Sequence, residues 1–100
     1  MRLTLATTLV MQAIGAGHCH GFEIVDVTGY PTGTVYPALR RLERAGHVVS
    51  DWSTVGGRKR RTYKLTSAGL RALNAERSAW QEFTTVIGGV LGGDGKWQQA

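Results

Sequence analysis

The chain has 100 residues, of which 42% are hydrophobic and 19% are charged, a composition typical of one folded domain and unlike that of a disordered tail. Its formal net charge of +5 favours a polyanionic partner, and no apolar run reaches the ~18 to 20 residues that a membrane span needs. Cys19 is the single cysteine, which excludes an internal disulfide.

The first predicted helix covers residues 3–16 and runs into a glycine-containing segment. Its apolar residues recur at helical spacing, which predicts one buried side. The expected members of that side are Leu5, Leu9, Val10, Met11 and Ile14. Polar residues interrupt the apolar stretch, so we expect a core helix of a cytoplasmic protein rather than a signal peptide.

A second, shorter helix is predicted over residues 20–27, HGFEIVDV, with Phe22 and either Ile24 or Val25 directed inward. The adjoining residues 18–20, HCH, carry two imidazoles and a thiol, which are common metal-ligand types. Three adjacent residues rarely converge on one ion, and the sequence has no other cysteine to join them. We therefore expect no metal ion and no cofactor.

After the turn TGYPTG, a third helix is predicted to begin near Thr34 and to end at Ala45, before Gly46. Pro37 then becomes the third helical residue, where an amide would have no intrahelical acceptor, so the proline fits the first turn. At about 100° per residue the two sides of this helix differ sharply in polarity. The buried stripe comprises Val35, Ala38, Leu39 and Leu42, and the other side carries Tyr36, Arg40, Arg41 and Arg44.

Two β-rich segments, HVVSDW and RTYKLT, flank STVGGRKR, whose Gly-Gly pair suits the tip of a hairpin. Four consecutive cations follow the glycines: Arg58, Lys59, Arg60 and Arg61. Between Arg40 and Lys64, eight basic residues stand against two acids, and positive charge of this density favours nucleic acid. The alternative for the hairpin is an ordinary surface turn that keeps a small protein soluble.

Helix, turn, helix and hairpin in this order predict a winged helix-turn-helix that binds double-stranded DNA. The expected groove contacts are Thr34, Tyr36, Arg40 and Arg44, and Arg41 is a further expected DNA-binding residue of the same helix. The expected phosphate contacts are Arg58, Lys59, Arg60 and Arg61. No nucleophile and base stand at a spacing that supports catalysis, so we expect no enzyme activity.

A long final helix is predicted from Thr66 or Ser67 to about Leu91. Its apolar residues step by seven, three, four and three positions, the pattern of a packing seam. The seam comprises Leu73, Trp80, Phe83, Ile87 and Val90. One small domain cannot easily cover it, so we expect homodimerisation. The sequence leaves three arrangements open: the seam packs against the first helix of the same chain, against the equivalent helix of a second chain, or against both.

Two segments, TGTVYPALRRLERAGHV and GGRKRRTYKLTSAG, resemble the PadR family of bacterial transcriptional regulators, with Val35 and Phe22 where the family has leucine and tyrosine. The resemblance extends over about residues 3–91. It implies a homodimeric, usually repressing, winged-helix DNA binder that a small effector releases. Short-form relatives dimerise through one C-terminal helix against the first helix. Some of them stack flat aromatic drugs on a tryptophan at the position of Trp80; plain interface packing is the alternative for this residue.

The predicted fold class is therefore mainly α with a small β-hairpin. We expect a winged helix-turn-helix over residues 1–66, a dimerisation helix over 67–91 and a flexible tail over 92–100. The predicted function is that of a cytoplasmic, effector-responsive transcriptional repressor. The alternative is a binding module for planar aromatic molecules, centred on Trp80, that acts as a drug sensor or a sequestering protein.

Overall fold

Four helices and one antiparallel hairpin form the chain in a computed structural model, which describes residues 3–91. In chain order the elements are α1 (Leu5–Gly15), α2 (Gly21–Thr28), α3 (Thr32–Arg44), β1 (Val48–Val55), β2 (Arg58–Leu65) and α4 (Ser67–Leu91). This order confirms the predicted fold class. The predicted tail over residues 92–100 lies outside the described residues. Within residues 3–91, no helix combines the length and the apolar composition that a membrane span requires.

Helix α1 buries a different side from the one predicted. Val10, Met11 and Ile14 are buried as expected, but Leu5 and Leu9 are exposed. At about 100° per residue the two leucines lie opposite the buried stripe. Two threonines take their place: the hydroxyls of Thr7 and Thr8 both donate to the Thr4 carbonyl, at 3.0 and 2.8 Å. Because these hydroxyls are satisfied within the helix, their methyl groups can be buried.

Helix α2 is short and leads into α3 through a tight turn. Ile24 is buried as predicted, whereas Phe22 is 71% exposed, so the expectation that Phe22 points inward is wrong. Gly29 ends the helix in the left-handed region at φ 76°, a conformation that glycine adopts without strain. Its amide donates to the Val25 carbonyl at 3.0 Å. Only Tyr30 and Pro31 then separate this glycine from α3.

Helix α3 begins at Thr32, two residues earlier than expected, because the Pro31 carbonyl accepts the amides of Thr34 and Val35 at 2.9 and 3.0 Å. Pro37 is consequently the sixth helical residue, and its placement in the first turn is wrong. A proline at this position cannot donate to the Gly33 carbonyl, so the helix gives up one internal hydrogen bond. The predicted buried stripe is confirmed: it comprises Val35, Ala38, Leu39 and Leu42.

The hairpin, which we call the wing (residues 48–65), is longer than predicted. Its strands pair in register from Val48 opposite Leu65 to Val55 opposite Arg58. Gly56 and Gly57 form the tip with φ of 58° and 78°, which is the two-residue turn that requires positive φ at both positions. The base of the wing is buried in the core, and its outer half is exposed.

Helix α4 starts at Ser67, as predicted. The Thr66 hydroxyl accepts the Gly69 amide at 3.0 Å, which caps the helix, and donates to the Gly46 carbonyl at 2.6 Å. The Thr66 amide also donates to the His47 carbonyl at 3.0 Å. Two hydrogen bonds, to the carbonyls of Gly46 and His47, thus fix the start of α4 to the segment that follows α3.

One hydrophobic core joins all these elements. Its buried members are Leu3, Val10, Met11, Ala13, Ile14, Ile24, Val35, Ala38, Leu39, Leu42, Val48, Tyr63 and Leu73. Leu73 of α4 has no exposed surface within its own chain, so it packs inside the protomer and not in the seam predicted for dimerisation. The rest of that seam lies farther along α4, beyond the core.

Candidate nucleic-acid interface

The side of α3 opposite the core carries the predicted arginines. Arg40, Arg41 and Arg44 are exposed, while Thr34 and Tyr36 are half-buried. At about 100° per residue Arg40 and Arg44 lie close to the centre of the outer face. The same spacing puts Tyr36 on one flank and Arg41, with Thr34, on the opposite flank. The five α3 residues predicted to contact DNA therefore spread over about 160°, a little less than half of the helix circumference.

Tyr36 is held in position by α2. Its ring meets the Phe22 ring edge to face, with centroids 6.4 Å apart and an interplanar angle of 81°. The end of the same ring lies directly over Gly21, where a β-carbon would overlap its hydroxyl and ring atoms. Gly21 is therefore required for a close approach between helices, and Phe22 acts at the surface as a contact for Tyr36.

The wing, the start of α2 and Tyr36 of α3 line one concave surface, a cleft of about 290 Å³. Its lining residues are His20, Gly21, Phe22, Tyr36, Arg58, Lys59, Arg60, Arg61 and Tyr63. The four predicted phosphate contacts and the predicted groove residue Tyr36 are thus brought together. Thr34, Arg40, Arg41 and Arg44 do not line this cleft; Arg40 and Arg44 border a separate shallow hollow with Glu43.

Arg61 links the wing to α3. Its Nε donates to the Ser50 hydroxyl at 2.9 Å, and one of its terminal nitrogens lies 3.8 Å from the Glu43 carboxylate. Ser50 in turn donates to the same carboxylate at 2.9 Å. Because Glu43 belongs to α3, this network sets the angle of the wing against the helix. Arg61 therefore differs from the simple phosphate contact that the sequence suggested.

Trp52 is a surface residue that the sequence analysis missed. Its side chain is 61% exposed, and the guanidinium carbon of Arg61 lies 5.4 Å from its ring centroid, within cation–π range. The alternation of side chains along a strand could have identified Trp52 from the sequence, because it puts Val48, Ser50 and Trp52 on one face of β1. A large exposed aromatic residue beside a cation adds a stacking surface to the wing.

Thr32 is a second residue that the sequence analysis missed, because α3 begins before the predicted start. It is exposed in the first turn of the helix. Recognition helices contact base edges chiefly with residues near their N-terminus. The preceding Pro31 was the available signal, since proline is favoured at helix starts.

Tyr63 forms the buried floor of the cleft. Burial raises the pKa of its hydroxyl above the ordinary value of 10.0, and the nearby Arg61 guanidinium partly opposes this shift. The phenol therefore stays neutral at physiological pH and adds no negative charge to the cationic surface.

A second surface feature lies on α4. We call it the α4 apolar face, and it comprises Trp80, Phe83, Val86, Ile87 and Val90. Ile87 is half-buried and the other four are exposed, with Trp80 at 50% and Phe83 at 56%. The Trp80 and Phe83 rings meet edge to face at a centroid distance of 5.9 Å.

An open trough connects the α4 apolar face with the exposed side of α1. Its volume is about 300 Å³. The lining residues are Leu3, Leu5, Thr8, Glu76, Ala79, Trp80 and Phe83. Leu5, which was expected in the core, thus contributes to an apolar surface shared by two helices. Arg77 fixes the two helices together by donating to the Gln12 amide oxygen at 2.8 and 2.6 Å.

Comparison with known proteins gives one family and several related structures. Residues 10–75 match the family model described as the Transcriptional regulator PadR-like family. The Transcriptional regulator Rv3488 of Mycobacterium tuberculosis is 42% identical over 71 residues, which are 70% of this chain and 61% of that protein. The chain therefore spans less than two thirds of the length of this curated relative.

Two solved structures illustrate the likeness in fold. A PadR family transcription regulator from Clostridium difficile superposes with a TM-score of 0.81 at 26% identity, covering 89% of this chain and 100% of the other. A PadR family transcriptional regulator from Eggerthella lenta gives a TM-score of 0.70 at 29% identity, with 85% and 82% covered.

Proposed function

Because the chain belongs to the PadR-like family of transcriptional regulators, we propose that it acts as a homodimeric transcriptional repressor that binds double-stranded DNA and responds to a small effector. The family and the relatives named above are regulators of transcription and not enzymes. The observation that carries the proposal is the cleft in which Tyr36 of α3 and the cations 58–61 of the wing line one surface.

In this proposal α3 enters the major groove and the wing follows the phosphate backbone. Arg40 and Arg44 lie near the centre of the outer face of α3, so they reach base edges, where arginine pairs with guanine. Arg58, Lys59 and Arg60 extend from the exposed half of the wing towards phosphates. Arg61 contributes mainly by orientation, because Glu43 and Ser50 already engage its guanidinium.

Dimerisation is supported by the α4 apolar face. A monomer in water rarely leaves a run of tryptophan, phenylalanine and valine uncovered on a helix. Two-fold pairing through residues 67–91 buries this face and presents two α3 helices to half-sites about one DNA turn apart. The exposed leucines of α1 adjoin the trough, so the partner's α4 packs against both α1 and α4.

An effector role is favoured by the trough, whose Trp80 ring offers a flat apolar surface. A planar aromatic molecule that stacks there in one dimer geometry shifts the spacing of the wings by its differential affinity. The competing occupant of the trough is the partner's own helix. Quenching of tryptophan fluorescence by planar aromatic compounds, lost in Trp80→Leu, would favour the effector; an unchanged signal over a broad panel would favour the helix.

The salt dependence of DNA binding tests the main proposal. Wild-type affinity is expected to fall steeply as salt rises, with a log–log slope of about −0.9 for each phosphate neutralised. In Arg58→Ala/Lys59→Ala each chain lacks two cations, so the slope of a dimer becomes shallower by up to about 3.6. The slope is measured by fluorescence anisotropy on duplexes selected from a random pool.

Arg71→Ala is the matched control, because it removes an exposed cation from α4 outside the cleft. Its slope is expected to equal that of the wild type. Binding that does not depend on salt, or an equal change in the control and in the wing variant, would contradict the proposal.

A single methyl group at position 21 tests the role of Tyr36. In Gly21→Ala the new β-carbon occupies the space of the Tyr36 ring, so the ring is displaced from the cleft. We expect DNA affinity to fall by roughly tenfold, the equivalent of about 1.4 kcal/mol for a lost specific contact. Gly89→Ala is the control, since Gly89 lies on α4 outside the cleft and a β-carbon there meets no atom within 4 Å. Equal affinities of the wild type and Gly21→Ala would argue against a role of Tyr36 at the DNA.

A further inference from the structure

The turn between α1 and α2 gathers four potential metal ligands that the sequence analysis did not combine. The donor atoms of Cys19, His20 and Glu23 all lie within 4.8 Å of one another. His18 Nδ1 lies 3.5 Å from the Glu23 carboxylate, so a second imidazole adjoins the group. We call these four residues the α1–α2 cluster.

Local backbone structure explains why the cluster forms. His20 precedes α2 as its N-cap residue in an extended conformation, with φ −104° and ψ 145°. Glu23 is the third residue of the helix, and its side chain reaches back over the turn that carries the other three ligands. Residues 18–20 alone therefore do not make up the cluster. The acid that completes it, Glu23, comes three residues after His20 and belongs to α2.

The donor set matches one class of ion. A thiolate, imidazoles and a carboxylate are the ligands that zinc and similar divalent transition ions take, usually four at a time in tetrahedral geometry. The three residues within 4.8 Å are half-buried, so an ion can enter from solvent and still lose most of its water. Calcium and magnesium prefer oxygen-only sites and do not fit a cluster with sulfur and nitrogen.

A polar atom without a partner points to the same conclusion. His20 Nδ1 is buried and has no hydrogen-bond partner. Buried polar atoms are nearly always satisfied, and an unsatisfied one costs about 1 to 3 kcal/mol. An ion bound to His20 orders the ring and removes this cost when Nδ1 is the ligand atom. The ion pair between His18 and Glu23 accounts for those two residues without metal, but it leaves His20 unexplained.

We propose that the α1–α2 cluster binds a divalent transition ion of the zinc class through Cys19, His20 and Glu23, with His18 as the fourth ligand. Binding releases the thiol proton of Cys19 to solvent, together with the proton of His18 wherever that imidazole is charged, because the ligand atoms must be deprotonated. No oxidation or reduction is involved.

The cluster is joined to the wing by backbone contacts. The Tyr63 amide of β2 donates to the Cys19 carbonyl at 2.9 Å, and His20 forms an isolated antiparallel bridge with Thr62. Gly21, the next residue, lies under the Tyr36 ring. An ion that orders residues 18–23 therefore changes the position of the wing relative to α3, and this regulatory part of the inference rests on the proposed function.

Cobalt(II) titration of the purified full chain with its thiol kept reduced tests the site. One cobalt per chain is expected, with the visible absorption of tetrahedral cobalt and a thiolate-to-cobalt band in the near ultraviolet. Cys19→Ser should abolish the thiolate band and weaken cobalt binding by roughly tenfold or more. Zinc should displace the cobalt. Absence of the thiolate band in the wild type, or its persistence in Cys19→Ser, would overturn the proposal.

Glu23→Gln and Asp26→Asn form a matched pair, because both remove one carboxylate from α2 and only Glu23 belongs to the cluster. Glu23→Gln is expected to weaken cobalt binding roughly tenfold or more, and Asp26→Asn to leave it unchanged. Equal effects would mean that cobalt responds to surface charge only, which would overturn the site.

DNA affinity measured with and without zinc separates this inference from the proposed function. A zinc-dependent change in the dissociation constant of the wild type, absent in Cys19→Ser, supports the regulatory link. Cobalt binding by a protein that binds no DNA would uphold the site and reject the proposed function. Cobalt binding together with zinc-independent DNA binding would uphold the site and reject the link.

Discussion

Replacing both Trp80 and Phe83 by aspartate is expected to convert the protein to a monomer and to lower its affinity for a two-half-site duplex by about 100-fold or more. The two rings are half exposed in the protomer and lie on one face of α4. Carboxylates on that face carry a large desolvation cost into any apolar interface. When one subunit of a dimer binds its half-site, the other subunit is held at a high effective concentration near the second half-site, which gains ~10²–10⁴ in affinity. A monomer lacks this gain.

Sedimentation velocity measures the oligomeric state, and anisotropy on duplexes with one or two half-sites measures the affinity. Ser78→Asp/Thr85→Asp is the matched control, since it adds the same two charges to the opposite, exposed face of α4. The control should remain a dimer with unchanged affinity. A dimeric Trp80→Asp/Phe83→Asp protein, or equal loss of affinity in both variants, would mean that the α4 apolar face is not the dimer interface.

The same pair of variants is informative about the trough. The mutated rings line it together with Leu3 and Leu5, so the alternative function as a planar-aromatic binder also depends on them. Trp80→Asp/Phe83→Asp is therefore expected to lose the binding of planar aromatic compounds as well as dimerisation, whereas Ser78→Asp/Thr85→Asp should keep both. Aromatic binding that persisted in Trp80→Asp/Phe83→Asp would show that these two rings do not form the aromatic-binding surface.

Gly69→Ala is expected to destabilise the fold by about 3 kcal/mol or more, at the upper end of the usual cost of overpacking. A β-carbon at this position would overlap the carbonyl oxygen of His47. That oxygen is held by the Thr66 amide, and Thr66 is held by the Gly46 carbonyl. Because the obstacle is hydrogen-bonded backbone, it cannot move aside as a flexible side chain would.

Chemical denaturation of the two glycine variants of α4 measures this effect. Gly89→Ala is the control: it lies in the same helix, and a β-carbon there meets nothing within 4 Å. Its stability is expected to rise by about 0.5 to 1 kcal/mol from the better helix propensity of alanine. If Gly69→Ala behaved like Gly89→Ala, the start of α4 would not be packed against the segment after α3.

This junction matters for the proposed function because it connects two surfaces. Two hydrogen bonds of Thr66 fix the start of α4 to residues 46 and 47, just after the end of α3. The helix proposed to pair the two chains is therefore rigidly joined to the helix proposed to enter the groove. We infer that the angle at this junction sets the spacing of the half-sites.

Local chemistry was enough to predict the order of the elements and much of their patterning. The buried stripe of α3 follows from apolar residues at helical spacing, and the hairpin tip follows from two glycines that tolerate positive φ. The start of α4 follows from a threonine that caps it. These features depend on residues within one or two turns of each other, so a linear pattern contains them.

Tertiary packing decided which of several competing surfaces became buried. In α1 the leucine side and the threonine side both had apolar character, and the core took Thr7 and Thr8 because their hydroxyls bond within the helix. Leu5 was left for the trough. In α4 the seam was divided: Leu73 entered the protomer core and Trp80 stayed outside it. Periodicity gives the faces of a helix but not the partner of each face.

The sequence by itself therefore determined the winged helix-turn-helix architecture, the cationic segments 40–44 and 58–61, and the family. Only the tertiary structure decided that Arg61 is held by Glu43 and that Arg77 is held by Gln12. The physical reason is range: helix and turn formation are governed by near neighbours, whereas a site is assembled by contacts between elements whose relative positions no local pattern records.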